Sequence, residues 1–299
     1  MSCVPVVDDG NEVCANCGTT ASNTVKLKNC TACRLVKYCG VDCQWAHRKQ
    51  HKKACKQRAA ELKDEQLYSQ GHERLEGDFC PICTLAIPLP VNTNSVFNTC
   101  CMKRICDGCD IAAKKRGMND CPFCRTPYPD SDEEMLAMVQ ARLAKKDPVA
   151  INFLGDRFGK LGLQKDMRKA VKLRIEAAEL GSIQALFNLG HAYYFGEGVQ
   201  QDTAKAVEYY EKAAMQGCPL SRHELGCVEV SDRGNYDRSV RHFLISAKMG
   251  YEDSLESIKE TFMTGLATKE QYAEALKGYQ NALEEMKSHD RDEAKRLEY

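Results

Sequence analysis

The stretch CANCGTTASNTVKLKNCTACRLVKYCGVDCQWAHRKQHKKAC, residues 14–55, places seven cysteines and one histidine in four closely spaced pairs. Gaps of two or three residues let one tight turn present both members of a pair to a single ion, and zinc takes thiolate and imidazole ligands in closed tetrahedral sites. A segment this short cannot bury a self-sufficient apolar core, so metal binding must supply most of its folding free energy, on the order of 10–16 kcal/mol per structural zinc. The predicted ligands are Cys14, Cys17, Cys30, Cys33, Cys39, Cys43, His51 and Cys55.

A second array of eight cysteines follows between residues 80 and 124. Each array has enough ligands for two sites of four, so the sequence predicts four structural zinc ions with no open position for water or substrate. The two arrays together contain 15 of the 18 cysteines. The predicted ligands of the second array are Cys80, Cys83, Cys100, Cys101, Cys106, Cys109, Cys121 and Cys124.

A disulfide framework is the alternative explanation for so many cysteines. Three observations oppose it: the opening MSCVPVVDDGNEV has no signal-peptide pattern, His51 has no role in a disulfide, and residues 130–299 contain only Cys218 and Cys227. Many thiol ligands without an export signal predict a reducing compartment, cytoplasmic or nuclear. The leftover Cys3, Cys218 and Cys227 are interpreted as a frayed end and two packing residues.

Composition bounds the classes of partner. The chain has 42 basic and 42 acidic residues, so no net field argues for nucleic acid, and no apolar run approaches the roughly 18 residues of a membrane span. The length of 299 residues suits two or three domains.

The order of the pairs in the first array suggests interleaved sites, with Cys14, Cys17, Cys39 and Cys43 on one ion and Cys30, Cys33, His51 and Cys55 on the other. The run Tyr38-Cys39-x3-Cys43-Gln44, followed by His51-Lys52-Lys53-x-Cys55, resembles a MYND zinc finger at all eight ligand positions. One departure is that Trp45 lies earlier than the tryptophan usual in that family, and Arg48 takes its place. The resemblance implies a module that binds proteins, commonly short proline-containing peptides.

Residues 47–58 include six basic side chains, and residues 48–58 contain no acidic one. A nucleic-acid patch is one interpretation of this cluster. A solvated helix face with lysines between ligands is the other, and the neutral charge of the whole chain favours it.

The second array opens with Phe79-Cys80-Pro81-Ile82-Cys83 and closes with Cys121-Pro122-Phe123-Cys124-Arg125, and it resembles a RING finger. The resemblance implies that Cys80, Cys83, Cys106 and Cys109 share one ion, and that Cys121 and Cys124 share the other with central ligands. Lys103 stands where the family has histidine, and an ammonium group is a poor zinc ligand. Cys100, next to Cys101, is the natural substitute, although adjacent ligands need a local backbone distortion. The alternative is a three-ligand or empty second site.

In RING ligases, ubiquitin-conjugating enzymes dock on an apolar residue between the first two cysteines and near the last pair, and a basic residue after the last ligand holds ubiquitin. Ile82, Pro122 and Arg125 have those positions here. The tryptophan of many active ligases is missing from residues 110–120, DIAAKKRGMND. The alternative is that Ile82 and Pro122 only pack the metal-binding turns.

The C-terminal half repeats itself. Gly155, Gly190 and Gly226 follow leucines at intervals of 35 and 36 residues, and Gly181, Gly217 and Gly250 close small-residue motifs behind them. This period predicts helix–turn–helix units whose small residues allow close packing and whose closing glycines take a positive φ. The best unit, residues 185–217, resembles a Sel-one-like member of the tetratricopeptide-type repeats. Further units are predicted at 150–181 and 221–250, with a degenerate one from Ser254 and a closing helix over 270–297.

The predicted fold is multidomain: two small cross-braced zinc-binding modules followed by an all-α helical-repeat solenoid. The predicted segments are a flexible N-terminus at 1–13, a MYND-type finger at 14–55, a helical linker at 56–77, a RING-like finger at 80–125, an acidic linker and helix at 126–146, and repeats with a capping helix at 147–299.

The predicted function is a zinc-binding protein-interaction adaptor. In one version it is a RING-type ubiquitin ligase that recruits substrate through the first finger and the repeats; the alternatives are a non-enzymatic scaffold and a nucleic-acid binder through residues 47–58. The expected partners are proteins or peptides, with a conjugating enzyme under the ligase hypothesis and no membrane.

Overall fold

A computed structural model describes residues 13–159 and 166–297. The chain divides into two compact units, with the boundary between Ser69 and Gln70. The predicted flexible terminus at 1–13 lies outside the described residues except for Val13, and so does Cys3.

The first unit has little regular structure before its long helix. Strands β1 (Lys28–Asn29) and β2 (Lys37–Tyr38) form a short antiparallel pair, and α1 spans Val41–Ser69. Its core is made of Cys14, Cys30, Cys33 and Tyr38, all at most 4% exposed. The candidate metal ligands therefore take the place of an apolar core, as expected for a segment this short.

The helical linker predicted over 56–77 is helical only up to Ser69. Gly71 has a φ of +65°, a conformation in which a helix cannot continue, and it lies in the second unit. A Cβ at Gly71 would collide with the backbone of Ala214 and Met215, so this position needs glycine. The segment after the helix thus packs on the repeats, and the Arg222 guanidinium donates to the Gln70 carbonyl there.

The second finger lies within the second unit. Strands β3 (Ser95–Asn98) and β4 (Lys103–Cys106) pair antiparallel, and α2 (Asp107–Lys115) follows directly. Ile87 and Ile105 are fully buried among the candidate ligands Cys80, Cys106 and Cys109. This small apolar core distinguishes the second finger from the first.

Helix α3 spans Asp132–Leu143, within the segment predicted as an acidic linker and helix at 126–146. Val139 is fully buried against Met102 of the second finger and Ala150 of the first repeat. Phe97 and Phe153 stack in the same cluster with ring centroids 5.3 Å apart. The strand hairpin of the finger therefore shares a core with the start of the solenoid.

In the described residues, the repeats are four successive helix pairs, each packed on its neighbours in the chain, and a single short helix follows them. The helices are α4 (Pro148–Gly159), α5 (Met167–Glu179), α6 (Ile183–Phe195), α7 (Thr203–Met215), α8 (Pro219–Ser231), α9 (Tyr236–Lys248), α10 (Glu252–Met263), α11 (Lys269–Glu285) and α12 (His289–Arg296).

The predicted roles of the repeat glycines are confirmed. The glycines that close the small-residue motifs have φ values of +94°, +90° and +89° at Gly181, Gly217 and Gly250. A Cβ at Gly226 would lie 2.5 Å from Phe243 Cε1, so the two helices of that repeat approach too closely for any larger residue.

The closing segment differs from the single helix predicted over 270–297. It forms two helices, because Ser288 interrupts the first and caps the second by accepting from the Arg291 amide at 3.3 Å. Helix α12 packs against α2 of the second finger, so the chain returns to the finger at its end.

Candidate metal centres

The first site contains Cys14, Cys17, Cys39 and Cys43, whose sulfur atoms all lie within 4.8 Å of one another. The Cys17 and Cys39 Sγ atoms are 3.6 Å apart, and those of Cys39 and Cys43 are 3.5 Å apart. Zn–S bonds of about 2.3 Å in a tetrahedron place sulfur atoms roughly 3.8 Å apart. The donor set therefore fits a zinc ion.

The second site contains Cys30, Cys33, His51 and Cys55. The Cys30 and Cys55 Sγ atoms are 3.7 Å apart, and His51 Nε2 lies 3.1 Å from Cys33 Sγ. Burial and then the neighbouring His47 lower the pKa of His51, which favours the neutral imidazole that a metal needs. His47 stacks on the His51 ring at 5.7 Å and contacts the Tyr38 hydroxyl through Nδ1 at 3.1 Å, so it orients the ligand.

The third site contains Cys80, Cys83, Cys106 and Cys109. The Cys83 and Cys106 Sγ atoms are 3.8 Å apart, and Cys80 and Cys106 are at most 1% exposed. Arg291 of α12 donates to Cys83 Sγ at 3.4 Å. Burial opposes the charge of Arg291, but the nearby Cys106 and Cys83 thiolates raise its pKa above the usual value.

The fourth site contains Cys100, Cys101, Cys121 and Cys124. The Cys100 and Cys124 Sγ atoms are 3.3 Å apart, and those of Cys101 and Cys121 are 3.6 Å apart. Met102 takes a φ of +55° directly after the adjacent pair, which is the local distortion that adjacent ligands require.

Lys103, at the histidine position of the RING pattern, does not belong to this donor set. Its ammonium group lies 4.8 Å from the centre of the Phe123 ring, in a cation–π contact. Arg142 of α3 donates to the Cys100 carbonyl at 3.2 Å and so holds the distorted turn from outside the finger.

One turn recurs at four of the five Cys-x2-Cys pairs, those that begin at Cys14, Cys30, Cys80 and Cys121. The amide four residues after the first cysteine donates to that cysteine's carbonyl at 2.7–3.0 Å. The donors have positive φ values of +73°, +58°, +59° and +58° at Gly18, Arg34, Thr84 and Arg125. Three of these are not glycine, and a left-handed conformation costs each roughly 1–2 kcal/mol, which metal binding can offset.

Backbone amides also favour the thiolate form of Cys14. Burial opposes the charge on Cys14, but amide donors from Cys17, Cys39 and Asn16 lower its pKa to about 6. A lowered pKa favours the thiolate, which is the form that coordinates metal.

The described cysteines are free rather than disulfide-bonded. The sulfur separations of 3.3–3.8 Å in the four sites are far longer than a disulfide bond of about 2.05 Å. Cys218, which is buried in the repeats, and Cys227 belong to none of the four donor sets.

The candidate docking residues lie at the surface of the second finger. Ile82 is 46% exposed, Pro122 is half-buried, and Arg125 is exposed with its guanidinium 3.5 Å from Asp120 Oδ1.

The basic cluster on α1 is an exposed surface at five of its six members, Arg48, Lys49, Lys52, Lys53 and Lys56. Arg58 instead pairs with Glu65 at 2.7 Å and Glu61 at 3.1 Å. Trp45 is 68% exposed, and Arg48 lies 5.5 Å from the centre of its ring.

Two arginines, Arg142 and Arg291, contact metal-site turns from distant segments and were not predicted. No local pattern marks them, since each occurs in a helix with several other charged residues.

Comparison with known proteins identifies two kinds of module. Residues 14–55 match the family model of the MYND finger, and residues 148–182 and 183–218 each match that of the Sel1 repeat. The MYND match and the four donor sets support zinc as the metal. None of the helices in residues 13–159 and 166–297 is both long and apolar enough to cross a membrane.

Three solved structures resemble part of the chain. The protective antigen c5321 of uropathogenic Escherichia coli, with an SLR fold, is 30% identical over 51% of this chain and 33% of that one, with a TM-score of 0.44. A Sel1 repeat protein from Oxalobacter formigenes is 24% identical over 52% and 66%, with a TM-score of 0.45. The immunity protein PA5088 from Pseudomonas aeruginosa is 16% identical over 61% and 84%, with a TM-score of 0.33. The chain thus spans a third of the first of these proteins.

The family matches bear out two of the resemblances seen in the sequence, and they agree with the donor sets and the helix pairs described above. The chain contains a MYND zinc finger at residues 14–55 and Sel1 repeats at residues 148–182 and 183–218.

Proposed function

We propose that this chain is a zinc-stabilised protein-interaction adaptor. The MYND finger and the Sel1 repeats support this general role, since both are protein-binding types of module. The observation that carries the proposal is that the sixteen candidate ligands form four sets of four. A zinc held by four protein ligands has no open position for substrate, so the metal would serve the fold.

The first finger would bind its partner beside the N-terminal turns of α1. Val41 and Trp45 are each 68% exposed and lie four residues apart on one helix face. Flat aromatic surfaces bind proline rings of extended peptides, and the adjacent exposed lysines favour acidic residues. The partner is therefore a short proline-containing peptide with acidic flanks.

The test is binding of the zinc-loaded full chain to an array of proline-containing peptides with acidic or neutral flanks. Trp45→Ala should weaken binding at least about tenfold, because a central aromatic anchor contributes 1.4 kcal/mol or more, roughly a decade in Kd. Gln66→Ala, an exposed change at the far end of the same helix, is the control. Peptide binding that survives Trp45→Ala unchanged would exclude this surface, and no binding to any peptide would exclude this partner class.

A RING-type ubiquitin ligase is the second candidate function. What favours it is the exposure of Ile82, an apolar side chain in the position of a docking residue. In this version the second finger orients a conjugating enzyme that carries ubiquitin, and no side chain of this chain forms a covalent bond with ubiquitin.

The ligase candidate is tested by ubiquitin-chain formation with an activating enzyme and a panel of conjugating enzymes. Ile82→Ala should weaken docking and Arg125→Ala should slow transfer, and both should keep wild-type zinc content. Val149→Ala, at an exposed apolar residue in the repeats, should change nothing. Inactivity of the wild type across the panel would leave the adaptor without this activity.

A further inference from the structure

The most unusual contact of the third site comes from the end of the chain. Arg291 is 5% exposed, and its side chain reaches the turn that follows Cys83. Nη2 donates to Cys83 Sγ at 3.4 Å and to the Leu85 carbonyl at 3.2 Å. Nη1 donates to the Ala86 carbonyl at 2.6 Å and to the Met286 carbonyl at 2.7 Å. One guanidinium of α12 thus joins a metal-site turn to the end of α11.

The charge of the third site explains why a cation belongs there. Four thiolates around one Zn²⁺ carry a net charge of about −2, and a buried charge is costly unless it is paired and hydrogen-bonded. Arginine stays protonated and offers five N–H donors in a fixed planar fork. A neutral side chain at position 291 would leave both the thiolate and the turn carbonyls without this donor.

The rest of α12 fits the same face of the finger. The backbone of Arg291 lies so close to Gly108 that a Cβ there would be 2.6 Å from its nitrogen. Glu293 pairs with Lys115, at the end of α2, at 2.5 Å. The helix is therefore placed by contacts on both sides of Arg291, and the guanidinium is held against the sulfur.

We propose that Arg291 is a positioning residue of the third site, through which zinc binding and the docking of α12 stabilise each other. The proposal rests on the zinc site proposed above. It adds a function for the C-terminal helix, which completes the surroundings of a metal site more than 200 residues away in sequence. Residues that hydrogen-bond to metal ligands typically change metal affinity about 10–100-fold when they are replaced.

The test follows zinc release from the full chain into a chromophoric chelator, after elemental analysis has fixed the zinc content. Arg291→Met keeps the bulk and removes the charge, so one equivalent of zinc should leave about 10–100-fold faster. Arg291→Lys keeps the charge without the fork and should give an intermediate rate. Arg296→Met, an exposed change on the same helix, should release zinc as the wild type does.

Amide hydrogen exchange supplies a second readout. Arg291→Met should speed exchange in residues 80–87 and 289–296 and leave residues 121–126, at the fourth site, unchanged. In the reverse direction, Cys83→Ser should free α12, whereas Cys124→Ser should not, because coupling between two sites is reciprocal.

The outcomes separate this inference from the zinc assignment. Normal zinc content in the wild type with unchanged release from Arg291→Met would overturn the role of Arg291 alone. Faster exchange of α12 with unchanged zinc release would do the same, since it would leave only a packing role. A wild type without metal at the third site would overturn the zinc assignment, and the coupling with it.

Discussion

Replacement of Cys100 tests the least regular of the four donor sets. Cys100 lies next to Cys101 in the chain, and its Sγ is 3.3 Å from that of Cys124. The substitution Cys100→Ser removes one thiolate and leaves three donors, while the similar size of serine preserves the turn. The fourth site should then hold zinc with a much lower affinity.

The expected loss can be worked out from the donor set. A structural zinc contributes on the order of 10–16 kcal/mol, so one ligand in four is worth roughly 2.5–4 kcal/mol. That corresponds to about a 100- to 1,000-fold loss of affinity. The effect should spread to Met102, which is buried against Val139 and Ala150, and so loosen the start of the solenoid.

The assay is zinc content after dialysis against a competing chelator that wild-type protein survives. Cys100→Ser should lose one zinc ion relative to the wild type. The rate of amide hydrogen exchange should rise in residues 100–106 and 121–126 but not in 80–87. Cys227→Ser, at a cysteine outside the four sites, should retain the full content. Wild-type zinc content in Cys100→Ser would refute the four-cysteine site and favour a three-ligand or empty one.

Gly190→Ala should destabilise the second unit, since the new methyl group would lie 2.5 Å from Tyr210 Cδ1, and overpacking of about 1–3 kcal/mol exceeds the gain of roughly 0.5–1 kcal/mol in helix propensity. Gly77→Ala meets no atom within 4 Å and is the control; equal urea midpoints for the two variants would contradict this packing. Burial and Arg222 hold the pKa of His242 well below its usual 6.5. The unfolded chain therefore binds this proton as the pH falls and the folded chain does not, so acid should cost about 1.4 kcal/mol per pH unit below 6.5. His242→Gln should lose less stability than the wild type between about pH 7.5 and 5.5, and equal losses would show that His242 is not the cause.

Ligand spacing was the most informative feature of the sequence for predicting the candidate metal sites. Ligand pairs with two or three residues between them can reach one ion through a single turn, so the interleaved sets of the first finger followed from the order of the pairs alone. The choice of Cys100 as a ligand in place of the missing histidine followed from chemistry, because the protonated Lys103 offers no lone pair for zinc. The repeat glycines were found because period and backbone conformation depend on local sequence.

Contacts between distant segments could not be predicted in the same way. The core shared by Met102, Val139 and Ala150 depends on where the hairpin of the finger meets the repeats, and periodicity contains no such information. The break at Ser288 was missed because a capping serine resembles any polar residue within a helical pattern until its partner amide is known. No sequence pattern around Arg291 predicts its contact, since that contact depends on a turn that lies elsewhere in the chain.

These contacts give the two fingers different physical roles. The first finger has a core made largely of its own ligands, so its fold depends on metal and on few other contacts. The second finger joins the start of the solenoid through Met102 and its end through α12. Free energy from zinc binding at the candidate third and fourth sites would therefore be shared with α3 and α12, which contain no candidate ligand. The repeats orient the second finger through both contacts, so under the ligase proposal a partner bound to the repeats and a conjugating enzyme docked at Ile82 would meet in a fixed geometry. That orientation would serve a scaffold and a ligase alike, and ubiquitin-chain formation with conjugating enzymes distinguishes the two.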